Sequence, residues 1–207
     1  IMIRTFSQKD VETLAKVASI PIINGLTDDE HPCQVLADLM TIREKKLILD
    51  GLKVAYIGDG NNMCNSLLVA CLTLGMNVFI ANPSDYKPPS YYINKGHELA
   101  NKNGVSFFMT TSPEEAVKDV DVIVTDVWAS MGQEEECDKR RIDFDGYQVN
   151  KKLLTLAKED TIVLHCLPAH RGEEITNEIL EAHADTIFEE AENRLHAQKA
   201  VLVKLLK

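Results

Sequence analysis

The sequence predicts an α/β protein built on a doubly wound parallel sheet with flanking helices, and two observations predict it. Three apolar runs, KVAYIG at 53–58, DVIVTD at 121–126 and TIVLHC at 161–166, are each followed by a turn and a helical pattern. Repetition of strand, turn and helix is the pattern of a parallel sheet. The first turn, GDGNNMCNS at 58–66, sets two glycines between a strand and a helix, where the backbone turns tightly and free N–H groups face the carboxyl edge of the sheet.

Taken in order, IMIRTF opens the chain on strand-like residues. HPCQVLADLMTIREKKL has a proline at its first helical position, with Val35, Leu36, Leu39, Met40 and Ile42 near helical spacing. NSLLVACLTLGM reads as a helix closed by Gly75. NVFIANP, 77–83, and VSFFMTT, 105–111, supply two more strands, the second ending before the N-cap Ser112 and the N1 proline Pro113. SMGQEEECDKRRIDFDGYQVN is long and charged, and reads as a mobile binding loop ahead of a helix that starts near Asn150. DTIFEEA, 185–191, is expected as a sixth strand, followed by the helix RLHAQKAVLVKLL, apolar on one face.

Composition narrows the function. A net charge of −10 argues against a nucleic-acid or anionic-membrane surface, so any phosphate site must be local. No apolar run approaches the roughly 20 residues of a membrane span, and no charged segment precedes an apolar one at the start. A cytoplasmic location is expected. The five cysteines, Cys33, Cys64, Cys71, Cys137 and Cys166, form no C-x-x-C pair and read as free thiols of a reducing compartment.

Several motifs carry chemistry. GDGNN invites a dinucleotide reading that fails on two details: Met63 stands at the third glycine position, and the next strand ends in Asn82 and Pro83 rather than an acidic residue. A tight turn explains its glycines but leaves the polar pair Asn61 and Asn62 at the sheet mouth. Asp126 ends an apolar strand, where a carboxylate suits an ammonium group, though it and Ser130 could equally serve as caps or turn residues. His31 and Gln34 lie about one helical turn apart. Arg194, in EAENR, follows the expected final strand, where a guanidinium takes an oxyanion through two hydrogen bonds or forms a surface ion pair. Cys166, beside His165 in HCLP, reads as a nucleophile, a metal ligand or a small buried residue. No Ser/His/Asp elbow, Walker loop or metal-spaced cluster competes with this set.

HPCQ, GDGNN, DVWASMG, HCLP and EAENR occur in the order and approximate spacing of ornithine carbamoyltransferases, and the chain resembles that family over essentially its whole length. The aspartate enzymes share the first element, while SMG and HCLP point to the ornithine branch. The resemblance implies transfer of the carbamoyl group of carbamoyl phosphate to L-ornithine, giving citrulline and phosphate in arginine metabolism, without a cofactor or metal. It implies a homotrimer or a multiple of trimers with active sites at subunit boundaries.

By motif, Arg4, His31, Gln34, Cys166, Leu167 and Arg194 would meet carbamoyl phosphate, and Asn62, Asp126, Ser130 and Met131 would bind ornithine. Catalytic roles fall to Cys166, His31 and Arg194. The implied division is 1–31 as the tail of a carbamoyl phosphate domain, 32–50 as a connecting helix, 51–190 as the ornithine domain and 191–207 as a returning helix. The family's serine-threonine-arginine-threonine phosphate loop has no counterpart here, so the chain is expected to be a fragment with negligible turnover alone. A putrescine carbamoyltransferase and an isolated non-catalytic ligand-binding module are the alternative readings.

Overall fold

The computed structural model describes residues 1–130 and 132–206. The chain begins with a small parallel unit: β1 (Met2–Arg4), α1 (Gln8–Val17) and β2 (Ile23–Leu26), with Met2 opposite Ile23. Ser7 caps α1 by accepting a hydrogen bond from the Asp10 N–H. Helix α2 (Pro32–Lys46) then leads to β3 (Lys53–Ile57), α3 (Asn62–Thr73), β4 (Asn77–Ala81), α4 (Ser90–Asn103), β5 (Phe107–Thr110), α5 (Pro113–Ala116) and β6 (Val122–Thr125). After a short 3₁₀ turn come α6 (Cys137–Asp143), α7 (Lys151–Leu154), β7 (Ile162–His165), α8 (Asn177–Ala182) and α9 (Ala184–Leu205).

The five strands β3–β7 form one sheet in the order β5-β4-β3-β6-β7, every pair parallel. The chain winds outward from β3 through β4 to β5, then returns to the other side of β3 for β6 and β7. A doubly wound sheet with flanking helices results, and its switch point lies between β3 and β6. There Ile57 pairs with Thr125, and the loops after both strands diverge into a crevice.

Alternate residues of β3 feed two separate cores, as a period of two requires. Val54 and Tyr56 pack with Leu67, Leu68, Cys71 and Leu72 of α3 and Leu99 of α4. Ala55 and Ile57 face Ala116, Val117, Trp128, Phe144 and Leu153 on the opposite side. Fully burying a side chain such as Leu67 contributes about 1.5–3 kcal/mol, so the sheet is held from both faces.

Two sequence expectations are corrected. DTIFEEA is not a strand: it is the beginning of the 22-residue helix α9. Its inward face carries Ile187, Glu190, Asn193 and Ala197, and two of these are polar because α2 offers them polar partners. Asn193 donates to Thr41 Oγ1 at 2.9 Å and to Glu44 at 2.7 Å. The second correction concerns the charged 130–150 segment, which contains α6 and packs into the fold through Arg140, Phe144 and Tyr147. Among the described residues, no helix is long and apolar enough to cross a membrane.

Candidate active site

A cleft of about 450 Å³ opens at the carboxyl ends of β3 and β6. One wall begins with Asn61, the N-cap of α3. Its Oδ1 accepts from the N–H groups of Met63 and Cys64 at 3.0 and 3.1 Å, closing the first turn. The same oxygen accepts from the buried hydroxyl of Tyr56 at 3.1 Å, and with all three donors on Oδ1 the amide nitrogen must face the cleft. That nitrogen donates to Asp126 Oδ2 at 2.8 Å, with Ser130 Oγ at 3.4 Å.

Asp126 is thereby held from two directions. Its Oδ1 accepts from the Val127 N–H at 2.8 Å and from Cys166 Sγ at 3.0 Å. Cys166 is thus a hydrogen-bond donor in this arrangement. Burial and the adjacent Asp126 carboxylate push its thiol well above the usual range, the opposite of the depressed pKa of a nucleophilic cysteine. Leu167, at φ 54°, turns the chain after the thiol, and its N–H donates to His165 Nδ1 at 2.9 Å. With Nδ1 accepting, His165 presents its Nε2 hydrogen to the buried Glu174 carboxylate at 3.0 Å.

Arg4 and His31 line the same cleft. His31 is the N-cap of α2, its N–H donating to Ser66 Oγ at 2.8 Å. Burial and the charges of Arg194 and Arg4 lower its imidazole to about 4. The ring is therefore neutral at pH 7, able to donate through one nitrogen without being an acid. Its Nδ1 and the Nε of Arg194 are buried with no hydrogen-bond partner among the described residues, two polar atoms left to meet a ligand.

Of the residues singled out in the sequence, Arg4, His31, Asn62, Asp126, Ser130, Cys166 and Leu167 line this one cleft. Asn62 donates to the Thr27 carbonyl at 2.6 Å. Met131 lies outside the described residues. Gln34 and Arg194 stand behind the His31 wall. Arg194 sits within α9 rather than after a strand, and its Nη1 donates to Gln34 Oε1.

Two residues on the wall, Asp59 and Arg140, had escaped the sequence reading, and Asn61 had been noted there beside Asn62 without a role. Asn61 makes the contact with Asp126, and its N-cap position after G-x-G was the available signal. Asp59 and Arg140 form a buried ion pair at 2.7 Å, and Arg140 also donates to the Trp128 carbonyl at 2.8 Å. This pair clamps the GDGNN loop to the DVWAS loop across the cleft floor, with the guanidinium 4.8 Å from the Tyr86 ring centroid. Gly60 permits the third wall: a Cβ there would lie 2.2 Å from Pro88 N and 2.4 Å from the Lys87 carbonyl carbon. Among the described residues, one group has the composition of a cation site. It is His170, Glu173 and Glu174 in the turn after β7, outside the cleft lining.

Comparison with known proteins gives the family. The family model described as aspartate/ornithine carbamoyltransferase, Asp/Orn binding domain, matches residues 50–205, and the carbamoyl-P binding domain of the same family matches residues 1–44. An ornithine carbamoyltransferase of Anoxybacillus flavithermus is 53% identical over 206 residues, and one of Pyrococcus horikoshii is 54% identical. All of this chain is covered in both matches, but only 66% and 65% of those relatives, so the chain spans about two thirds of their length.

Among solved structures, the ornithine carbamoyltransferase of Pyrococcus furiosus superposes with a TM-score of 0.92 at 52% identity, covering 98% of this chain and 64% of that one. The anabolic enzyme of Campylobacter jejuni gives 0.95 at 42% identity, covering 99% and 68%. With two matched domains, relatives above half identity and a shared fold, the chain belongs to the aspartate/ornithine carbamoyltransferase family.

Proposed function

We propose that this chain serves the transfer of a carbamoyl group from carbamoyl phosphate to the δ-amine of L-ornithine, giving L-citrulline and phosphate. The supporting observation is that one cleft brings a fixed carboxylate, Asp126, together with Arg4 and a neutral His31, with Arg194 close enough behind His31 to act on it. Asp126, Asn62 and Ser130, with Met131, receive ornithine. Arg4, His31, Gln34 and Arg194 receive carbamoyl phosphate. Cys166 and the Leu167 backbone line the junction.

The neutral amine attacks the carbamoyl carbon, the C–N bond forms as the C–O bond to phosphate breaks, and the proton shed by nitrogen leaves with phosphate. Charge develops on the carbonyl oxygen. The neutral His31 imidazole and the neighbouring guanidiniums are donors suited to that oxygen, and holding both substrates in one crevice removes the entropy cost of their encounter. No covalent step on Cys166 is needed, because its thiol stays protonated and occupied with Asp126. The proposal includes a cytoplasmic homotrimer acting in arginine metabolism, and the division of the chain into 1–31, 32–50, 51–190 and 191–207.

The test is product analysis with the full-length form of the protein, supplied with labelled carbamoyl phosphate and either ornithine or putrescine. Labelled citrulline is expected. Label in carbamoylputrescine alone, or in neither product, would overturn the proposal.

A further inference from the structure

Behind the His31 wall, α2, α9 and the end of β7 meet around one amide. Gln34 Nε2 donates to Asp38 Oδ1 and to Glu190 Oε1, each at 2.9 Å, and all three side chains are buried. Oxygens that take the two hydrogens of one nitrogen lie within about 6 Å of each other, the range in which like charges disfavour joint ionisation. Glu190 Oε2 accepts from the His165 N–H at 2.9 Å, so both Glu190 oxygens are acceptors. Among the described residues, no N–H or hydroxyl donates to the fourth carboxyl oxygen, Asp38 Oδ2, and the two carboxyls themselves are within hydrogen-bonding reach of each other.

We propose that Asp38 and Glu190 share a single proton between their carboxyls and act as a positioning pair. Through it Gln34 on α2 is registered to the main chain of His165, the residue before Cys166. This goes beyond the contacts of the substrates themselves but rests on the reading that Gln34 and Arg194 serve the phosphate end of the cleft. Neither acid touches the cleft. Glu190 ties strand β7 to α2, while one proton between the two acids lets Gln34 keep both acceptors and present Oε1 to Arg194.

The charge balance around the pair agrees. Burial raises both carboxyls, Asp38 to about 6 and Glu190 well above the usual range; the charge of Asp38 and the hydrogen bond between the two acids add to the rise at Glu190, and that hydrogen bond and the Gln34 amide hold Asp38 down. The other titratable groups felt there are Arg194, which favours ionisation of Asp38, and Asp126, which opposes it. The thiols of Cys71 and Cys166 are neutral, since burial raises both.

The two carboxyls make an asymmetric prediction. In Asp38→Asn the new NH₂ can occupy the Oδ2 position, where no donor opposes it. In Glu190→Gln the new NH₂ must face either the His165 N–H or the Gln34 amide, because both oxygens it replaces are acceptors. The first measurement is infrared difference spectroscopy of carboxyl-labelled protein at pH 7, wild type against Asp38→Asn. A protonated-carboxyl band in the wild type that is lost in Asp38→Asn is expected. No such band, or one that persists in Asp38→Asn, would overturn the pair.

The second measurement is the His165 amide proton shift, expected to move upfield in Glu190→Gln and to hold in Asp38→Asn. An unmoved His165 amide in Glu190→Gln would equally count against the proposal. In steady-state kinetics, Glu190→Gln should raise KM for carbamoyl phosphate roughly tenfold, with a smaller change in KM for ornithine, since a disturbed Gln34 and Arg194 lie on the phosphate side. Equal changes in both KM values would contradict positioning. The spectroscopic readouts need no turnover, so an acid band in a protein that forms no citrulline would keep the pair and reject the proposed reaction.

Discussion

Replacing Asp126 by asparagine removes a charge but almost no volume, and the structure says what else it removes. Asp126 accepts from three donors: Val127 N–H, the Cys166 thiol and the Asn61 amide. Asparagine can turn its oxygen to only one side, so its NH₂ faces a donor whichever way it sits. Asn61 cannot turn to relieve the conflict, because its Oδ1 is already committed to Met63, Cys64 and Tyr56. An unmet donor of this kind costs about 1–3 kcal/mol, which in a domain of this size lowers Tm on the order of 5 °C. Loss of the charge-assisted contact with an ammonium group costs about 1.5–3 kcal/mol, or roughly 10- to 150-fold in ornithine affinity. Calorimetry of ornithine binding with Asp126→Asn, alongside its thermal unfolding, checks both. Unchanged ornithine affinity in a folded variant would refute the assignment of Asp126 to the amine.

Other outcomes follow from the same geometry. Arg140→Met leaves Asp59 buried without its partner, and should cost about 3–5 kcal/mol in urea unfolding; Asp59→Asn added to it should recover part of that loss. His31, at about 4 when folded against about 6.5 unfolded, lets the unfolded chain bind the extra proton. Stability should therefore fall as pH drops from about 6.5 to 4, by roughly 3 kcal/mol from this group, and His31→Gln should show a correspondingly flatter urea-midpoint profile. Gly60→Ala would drive a Cβ into the Lys87–Pro88 backbone, costing about 1–3 kcal/mol and weakening ornithine binding. At pH 8, Cys166 should alkylate with iodoacetamide far more slowly than a free thiol, and bound ornithine should slow it further; rapid labelling would contradict a protonated, hydrogen-bonded thiol.

Much of this arrangement was legible from local chemistry. Strands β3, β6 and β7 are continuous apolar runs because both faces of a parallel sheet are covered, and HPCQ and Ser112-Pro113 carry their helix starts in their own residue types. The start of α9 was not legible, because its buried face includes Glu190 and Asn193. A helix whose partners are polar has no apolar period of 3.6 to find, and the run Thr186, Ile187, Phe188 then reads as β-branched and aromatic strand. The acid pair was hidden for the same reason: Asp38 and Glu190 stand 152 residues apart and look like surface charges until α2 and α9 are packed. The sequence marked both adjacent amides, and the family resemblance gave the ligand role to Asn62. Only the three donors on Asn61 Oδ1 reveal that Asn61 is the residue turned toward Asp126.

The central claim is that two ligands meet in the cleft at the switch point of the sheet. Titrating ornithine into the full-length protein, with and without a saturating non-hydrolysable phosphonate analogue of carbamoyl phosphate, tests it most directly. The account predicts ornithine binding that tightens severalfold when the analogue is present, with the coupling lost in Asp126→Asn. Ornithine affinity indifferent to the analogue, or no binding at all, would contradict it.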